Sequence, residues 1–173
     1  MSAFGDKLPS LRLGDYAWDR VPPDPPDDPA LYDGVVWRRV AAYALDVLLI
    51  ALLSFCAWSL FVLVGLLSFG LLTPLGVIVL AVLPLAYHSF FLGRRGATPG
   101  MAALDLELRG WTGRPVDYFQ AFLTTVLFYT SVALTAWLVL LVALFNDRRR
   151  TLHDYLAGTV MVRRSRLRSA VAA

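Results

Sequence analysis

The sequence predicts an all-α membrane protein. It comprises an antiparallel hairpin of two transmembrane helices, a third re-entrant or tilted apolar helical element, and a small cytoplasmic β-containing insert. With 58% apolar and 17% charged residues, the 173-residue chain is too apolar for an ordinary soluble domain. Residues 40–64, 74–92 and 119–145 are long apolar segments. Arginines cluster at the ends of these segments, as the positive-inside rule expects of cytoplasmic loops.

The predicted domain organisation has three parts. Residues 1–36, rich in proline and aspartate, are expected to be a disordered cytoplasmic tail. They contain no continuous apolar run of the kind that forms a secretory signal. The alternative is a docking peptide that binds a partner through Tyr16, Trp18 and Tyr32. The membrane domain covers residues 37–164, and residues 165–173 form a basic, flexible tail.

The first apolar segment, residues 40–64, carries Asp46 as its only charged residue. As a helix it is about 37 Å long, which is enough to cross a hydrocarbon core of ~30 Å. Asp46 lies about 9 Å inside and needs a partner, a water path or a proton. Arg39, two turns earlier on the same face, is the expected partner, directly or through water. Asp46 is then either a proton or cation site or an ion pair that fixes helix packing.

The second segment, residues 74–92, begins after Thr73-Pro74, a good helix start, and Pro84 is expected to kink it. An uncharged turn joins it to the first segment, so both ends of the hairpin lie on one side. That side is predicted to be the cytoplasm, because four arginines flank the hairpin: Arg38, Arg39, Arg94 and Arg95.

Between the second and third segments, the run Gly93 to Gly100 predicts a tight turn that contains Thr98 and Pro99. Residues 104–109 alternate apolar and polar side chains, which predicts a strand. Residues 159–162, β-branched and short, are a second candidate strand, and we expect the two to pair. This pairing requires both strands to lie on the same side of the membrane.

The third segment, residues 119–145, conflicts with a simple crossing because a single crossing puts the C-terminal arginines outside. A segment that enters and returns near residues 130–135 keeps all thirteen arginines of residues 37–173 inside. We favour this re-entrant arrangement over a single tilted span.

The C-terminal motif contains Thr151-x-x-Asp154, which resembles a helix-start box, and Gly158, which is well placed to end a short helix before Thr159. Asp154 is expected to act as this cap beside Arg148, Arg149 and Arg150. The alternative is that Asp154 reaches Arg39 or Arg38 and gates access to Asp46.

Little in the sequence points to catalysis. His153 precedes Asp154, but the only other histidine is His88, so we expect no metal site, no cofactor and no enzyme activity. No basic stripe with interleaved aromatic residues suggests nucleic acid. The basic residues are instead expected to contact anionic lipid: Arg94, Arg95, Arg148, Arg149, Arg150, Arg163 and Arg164.

Three motifs occur in order: Arg39 with Asp46 seven residues on, Gly96 to Gly100, and Leu152 to Val162. Together they resemble the RDD family of small bacterial membrane proteins over about residues 33 to 164. The family's arginine and two aspartates are then Arg39, Asp46 and Asp154. Two positions depart from the family pattern: Met101 replaces a common lysine, and Thr124 or Thr125 a frequent arginine.

The resemblance implies a multi-pass protein of the bacterial plasma (inner) membrane, with both termini cytoplasmic by the arginine distribution. It also implies exchange of a monovalent cation against protons, with Arg39, Asp46 and Asp154 as the site. Two spans hardly enclose a path, so this function requires a homo-oligomer. The alternative is a non-catalytic accessory or assembly subunit of a larger membrane complex.

Overall fold

A computed structural model describes residues 29–135 and 151–167 of the chain. Its elements are α1 (Val35–Leu67), α2 (Thr73–Arg95), α3 (Pro99–Ala103), β1 (Leu106–Gly110), α4 (Tyr118–Thr135), α5 (Leu152–Leu156) and β2 (Thr159–Arg163). The described chain is mostly helical, with two long apolar helices and one two-stranded sheet, as the composition predicts. Predictions for residues 1–28, 136–150 and 168–173 lie outside the described residues; they include Tyr16, Trp18, Arg148 to Arg150 and most of the predicted C-terminal tail.

The two long helices follow the first two apolar segments and extend beyond their predicted bounds. Helix α1 begins after Gly34, which adopts a left-handed conformation, and continues beyond both ends of the predicted 40–64 segment. Helix α2 starts at Thr73-Pro74 and ends at Gly96, whose left-handed backbone donates to the Leu92 carbonyl. The helix continues through Pro84 without interruption. Both α1 and α2 are long and apolar enough to cross a membrane.

The connection after α2 is a second helix start rather than one tight turn from Gly93 to Gly100. Helix α2 runs on to Arg95, and α3 begins at Pro99 with Thr98 as its N-cap. The Thr98 hydroxyl accepts the backbone N–H of Met101 at 3.2 Å. The change of helix direction therefore takes only residues 96–98.

The predicted strand pairing is confirmed, although the first strand starts two residues later than predicted and both strands end one residue later. Strands β1 and β2 are antiparallel, and Leu106 pairs with Arg163 while Gly110 pairs with Thr159. Leu106 and Leu108 of β1 form one apolar cluster with Val35, Ala42 and Leu92 of the two long helices and with Met161 of β2. The sheet therefore ties the region after α3 to the C-terminal motif.

Helix α4 covers the first part of the third apolar segment, and residues 136–145 lie outside the described residues. It packs against α2, where Gly93 allows the Tyr118 ring and backbone to approach closely. Gln120, near the start of α4, donates to the Ala157 carbonyl at 3.0 Å. The beginning of α4 and the beginning of β2 are therefore neighbours.

The described residues of both predicted tails pack against the sheet. Residues 29–31 form a short 3-10 helix, and Leu31 and Tyr32 are buried against Val160, Val162 and Leu167. Tyr32 is thus a core residue of this chain rather than an anchor for a partner. At the other end, Ser165 bonds Asp105. Leu31, Tyr32 and Leu167, which lie outside the predicted 37–164 domain, therefore share one apolar cluster with β2.

Candidate functional site

Asp46 is 2% exposed and is held by three donors from two other elements. Its Oδ1 accepts the Tyr87 hydroxyl of α2 at 2.8 Å and the backbone N–H of Gly100 at 2.9 Å. Its Oδ2 accepts the Thr98 hydroxyl at 2.5 Å. Both carboxyl oxygens of Asp46 thus accept hydrogen bonds from within the chain. Asp46 therefore joins α1 to α2 and to the start of α3.

Gly100 is glycine because α3 lies directly on α1. A Cβ at position 100 would overlap the Ala42 carbonyl oxygen and would lie 2.8 Å from Cγ of Asp46. No other residue lets the backbone N–H of position 100 reach the carboxylate. The turn motif predicted from Thr98, Pro99 and Gly100 is thus also the binding partner of Asp46.

Arg39 pairs with Asp154 and not directly with Asp46. Its Nη1 lies 2.5 Å from Oδ2 of Asp154, and the side chains of Arg39 and Asp154 are 10% and 2% exposed. Asp154 also accepts the backbone N–H of Thr151 at 3.0 Å and its hydroxyl at 2.8 Å, as the predicted helix-start box requires. Asp154 is therefore both the cap of α5 and the partner of an arginine on α1.

The remaining residues of the C-terminal motif surround this ion pair. His153 Nε2 lies 2.8 Å from the Thr151 hydroxyl, and the Thr159 hydroxyl lies 3.5 Å from Oδ1 of Asp154. Gly158 adopts a left-handed conformation after α5, which ends the helix and lets the chain enter β2. The short helix α5 is thus fixed at both ends around Asp154.

The titrating groups of this motif respond to burial and to each other. Burial alone would raise the pKa of Asp154, but Arg39, His153 and the Thr151 hydrogen bonds hold that pKa below its usual value. Burial lowers the pKa of His153; Asp154 opposes the shift and Arg39 reinforces it. The pair is therefore charged and His153 is neutral at pH 7.

A cavity of about 100 Å³ lies between these groups. Its polar lining brings together residues of four helices and of the turn before α5: Arg39, Tyr43, Asp46, His88, Thr124, Thr125, Thr151, His153 and Asp154. The two aspartates of the predicted site thus face one cavity although Arg39 bonds only one of them. The cavity has room for several water molecules.

The sequence analysis did not predict the hydroxyl groups that α2 and α4 contribute to this site. Tyr87 and His88 are polar residues near the end of the second apolar segment, and the hydroxyl of Tyr87 donates to Asp46. His88 Nδ1 lies 3.0 Å from the Pro84 carbonyl and 3.2 Å from the Tyr129 hydroxyl. A pattern of hydroxyl groups within apolar segments was the available signal.

Among the described residues, no three His, Cys, Asp or Glu side chains form a metal-binding group.

The expected lipid-binding arginines divide into two groups. Arg94 and Arg95 are exposed at the end of α2. Arg163 instead pairs with Asp105 at 3.2 Å, and Arg164 pairs with Glu107 at 3.3 Å. The last two are engaged within the chain and are not free lipid anchors, because the sheet places acidic residues beside them.

Thr98→Val is expected to destabilise the protein by about 2–4 kcal/mol, because it removes a hydrogen bond to a buried carboxylate and an N-cap. Thr124→Val is the matched control, since among the described residues the Thr124 hydroxyl bonds just the Gln120 carbonyl of its own helix. The measurement is unfolding of the purified protein in detergent micelles. Equal losses in both variants would contradict the assigned role of Thr98.

The stability of the protein is expected to fall as the pH drops from 7.5 to 5. The lowered pKa of His153 means that the unfolded chain takes up this proton at a higher pH than the folded one. Its contribution is therefore complete above about pH 7 and is lost on acidification. His153→Gln should show a smaller decrease in melting temperature over this range. An unchanged decrease would assign the effect to other groups.

The fold and this site define a class of protein: a small helical protein with two apolar helices of membrane-spanning length and buried charges between them. A sequence profile of the RDD family matches residues 34–158, so the chain belongs to the RDD family. Comparison with curated proteins gives no match, and comparison with solved structures also gives none. Family membership and the two apolar helices indicate membrane association.

Proposed function

We propose that this protein exchanges a monovalent cation against protons across the bacterial inner membrane. One observation carries the proposal: Asp46, Asp154, Arg39, His88 and His153 all line one cavity. Ionisable side chains within membrane-spanning segments are costly, and they commonly mark ion and proton paths. The cavity volume suffices for water molecules that connect the two carboxyl groups.

In this mechanism Asp46 is the group that alternately holds the proton and the cation. The Tyr87 and Thr98 hydroxyls, which donate to Asp46, become oxygen ligands of the cation when their protons turn away. Asp154 lies at the cytoplasmic mouth, and its ion pair with Arg39 sets the charge beside the path. This mechanism moves ions and protons without converting a substrate, and we propose no enzyme activity.

The proposed topology has both termini in the cytoplasm. Arg94 and Arg95 lie exposed at the end of α2, where they are positioned to meet anionic lipid. The contact between Gln120 and Ala157 supports a return of the third apolar segment to the side on which α4 begins. We propose that this segment is re-entrant.

A homo-oligomer is part of the proposal. Helices α1 and α2 pack on each other but leave large apolar side chains exposed, among them Phe55, Trp58 and Leu66. Two spans cannot surround a continuous path, so a second copy supplies the rest of the wall.

The test is proton flux in proteoliposomes that contain a pH-sensitive dye and carry an imposed sodium or potassium gradient. Wild-type protein should move protons in response to the gradient, and Asp46→Asn should lose at least about 90% of that flux, because an amide cannot exchange a proton. Asp33→Asn, at an exposed residue, is the matched control and should keep the flux. Absence of flux from folded, inserted wild-type protein would refute the exchanger.

A second function is favoured by a different observation. Hydrogen-bond donors of this chain already bind both Asp46 and Asp154. This arrangement is consistent with a structural role in which the two carboxyl groups hold the helices together. On this basis the protein is an accessory or assembly subunit of a larger membrane complex, and its exposed apolar helix faces make the contacts. Purification in mild detergent that recovers only the chain itself would contradict this function.

A further inference from the structure

We propose that the cavity also binds a carboxylic acid with an apolar tail, whose carboxylate occupies the free edge of the Arg39 guanidinium. Arg39 bonds Asp154 through Nη1, whereas its Nε and Nη2 are buried and have no partner in the part of the chain that the structure describes. The side chain is 10% exposed. Nε–H and Nη2–H point the same way from one edge of the planar group, which matches the two oxygens of a carboxylate.

A buried guanidinium with an unused edge needs an acceptor. A hydrogen bond to a charged group stabilises more than one between neutral groups, and a buried donor without a partner is unfavourable. Water can satisfy such donors, but much of the cavity wall is apolar and suits a hydrocarbon tail: Val36, Val40, Leu92, Met101, Phe128 and Met161. The two methionines are unbranched and adapt to the shape of a ligand. A ligand with a carboxylate head group and an apolar tail therefore matches both the Arg39 guanidinium and the apolar side chains of the cavity wall.

The charges in the cavity specify how the acid enters. The titratable groups that line the cavity with His153 are the acidic Asp46 and Asp154, the basic Arg39, and the side chains of Tyr43 and His88. An added anion would face two carboxylates at close range, which is unfavourable in a buried site. An acid that enters protonated adds no net charge. The ligand therefore brings its own proton.

His153 is the acceptor for this proton. Thr151 donates its only hydroxyl proton to Asp154, so His153 Nε2 must donate to the Thr151 oxygen and Nδ1 carries the lone pair. The nearby Ser131 hydroxyl, 3.4 Å from Nδ1, donates to the Phe128 carbonyl at 2.9 Å. The O–H bond of the acid breaks, the proton moves to Nδ1, and the resulting carboxylate bonds Arg39. The total charge of the cavity does not change.

The tail has a way out of the protein. Val40 lines the cavity and is 46% exposed, so the cavity reaches the surface at the first turns of α1. Trp37, one turn earlier, is 71% exposed. In a membrane this surface faces the lipid, which places the tail among the acyl chains. The inference depends on the Arg39 edge and the cavity, and it holds whether or not the protein exchanges ions.

The test is isothermal titration of the full-length protein in detergent with octanoic acid, with 1-octanol and octanamide as controls for partition into micelles. Octanoic acid should bind at a defined stoichiometry, and the two controls should not. Acetate and inorganic phosphate distinguish an acid with a tail from a water-soluble oxyanion. Because one proton is taken up with the ligand, the affinity should fall roughly tenfold per pH unit between pH 5.5 and 7.5.

Two variants and one control locate the site. Arg39→Lys keeps the charge but removes the two-donor edge, and it should weaken octanoic acid binding at least about tenfold. Arg95→Lys, at an exposed arginine, should bind as the wild type does. His153→Gln should flatten the pH dependence. Equal heats for octanol and octanoic acid, tighter binding of phosphate or acetate, or binding without pH dependence would overturn the proposal, and these outcomes need no variant that might unfold.

Discussion

Asp154→Ala is expected to destabilise the folded protein by about 3–5 kcal/mol, the largest effect among the single substitutions proposed here. The change leaves the guanidinium of Arg39 buried without its carboxylate partner, and the Arg39 side chain is only 10% exposed. It also removes the acceptor of the Thr151 N–H and hydroxyl at the start of α5. A buried charge without a partner costs more than the pair contributes, so the loss exceeds that of an ordinary hydrogen bond.

The measurement is reversible unfolding in mixed micelles, with Asp33→Ala as the exposed control. A double variant, Arg39→Met with Asp154→Leu, is expected to recover part of the loss because both charges are then gone. If Asp154→Ala and Asp33→Ala lose the same free energy of unfolding, the Arg39–Asp154 pair does not stabilise the fold.

Gly100→Ala is expected to cost at least about 1–3 kcal/mol, although alanine is the better helix former by about 1 kcal/mol. The new methyl group would overlap the Ala42 carbonyl oxygen, which belongs to the backbone of α1 and cannot rotate away. Helix α3 would have to move outward, and Asp46 would lose its bond from the Gly100 N–H. The expected result is a lower melting temperature and weaker protection of that N–H against hydrogen exchange.

Ala103→Ser is the matched control for position 100, because Ala103 lies in the same short helix and is exposed. This variant should change the melting temperature little. A Gly100→Ala protein as stable as the wild type would mean that α3 does not rest on α1 as closely as the structure indicates.

Local sequence signals predicted much of the architecture. The long apolar runs located α1 and α2, and the Thr73-Pro74 pair located the start of α2. Thr151-x-x-Asp154 and Gly158 marked both ends of α5. These signals work because helix ends and apolar runs depend on residues that are close together in the chain.

The partners of the charged groups were not predictable in the same way. Arg39 and Asp46 lie on one face of one helix, which favours a direct pair, and the contact of Arg39 with Asp154, 115 residues away, was expected only as an alternative. Asp46 is satisfied by Tyr87, Thr98 and Gly100, and these donors come together only when α2 and α3 pack on α1. The burial of Tyr32 likewise depends on β2 and is invisible in the composition of the N-terminal segment.

The pairing of β1 with β2 has a consequence for biosynthesis. The ribosome makes α1, α2 and β1 well before residues 159–163. While the rest of the chain is synthesised, β1 therefore lacks its partner strand β2, and Arg39 lacks its partner Asp154. During that interval the bonds of Asp46 to Tyr87, Thr98 and Gly100 are already available, because all of these residues precede β1. We therefore expect assembly in two stages, the second of which begins when the C-terminal motif emerges.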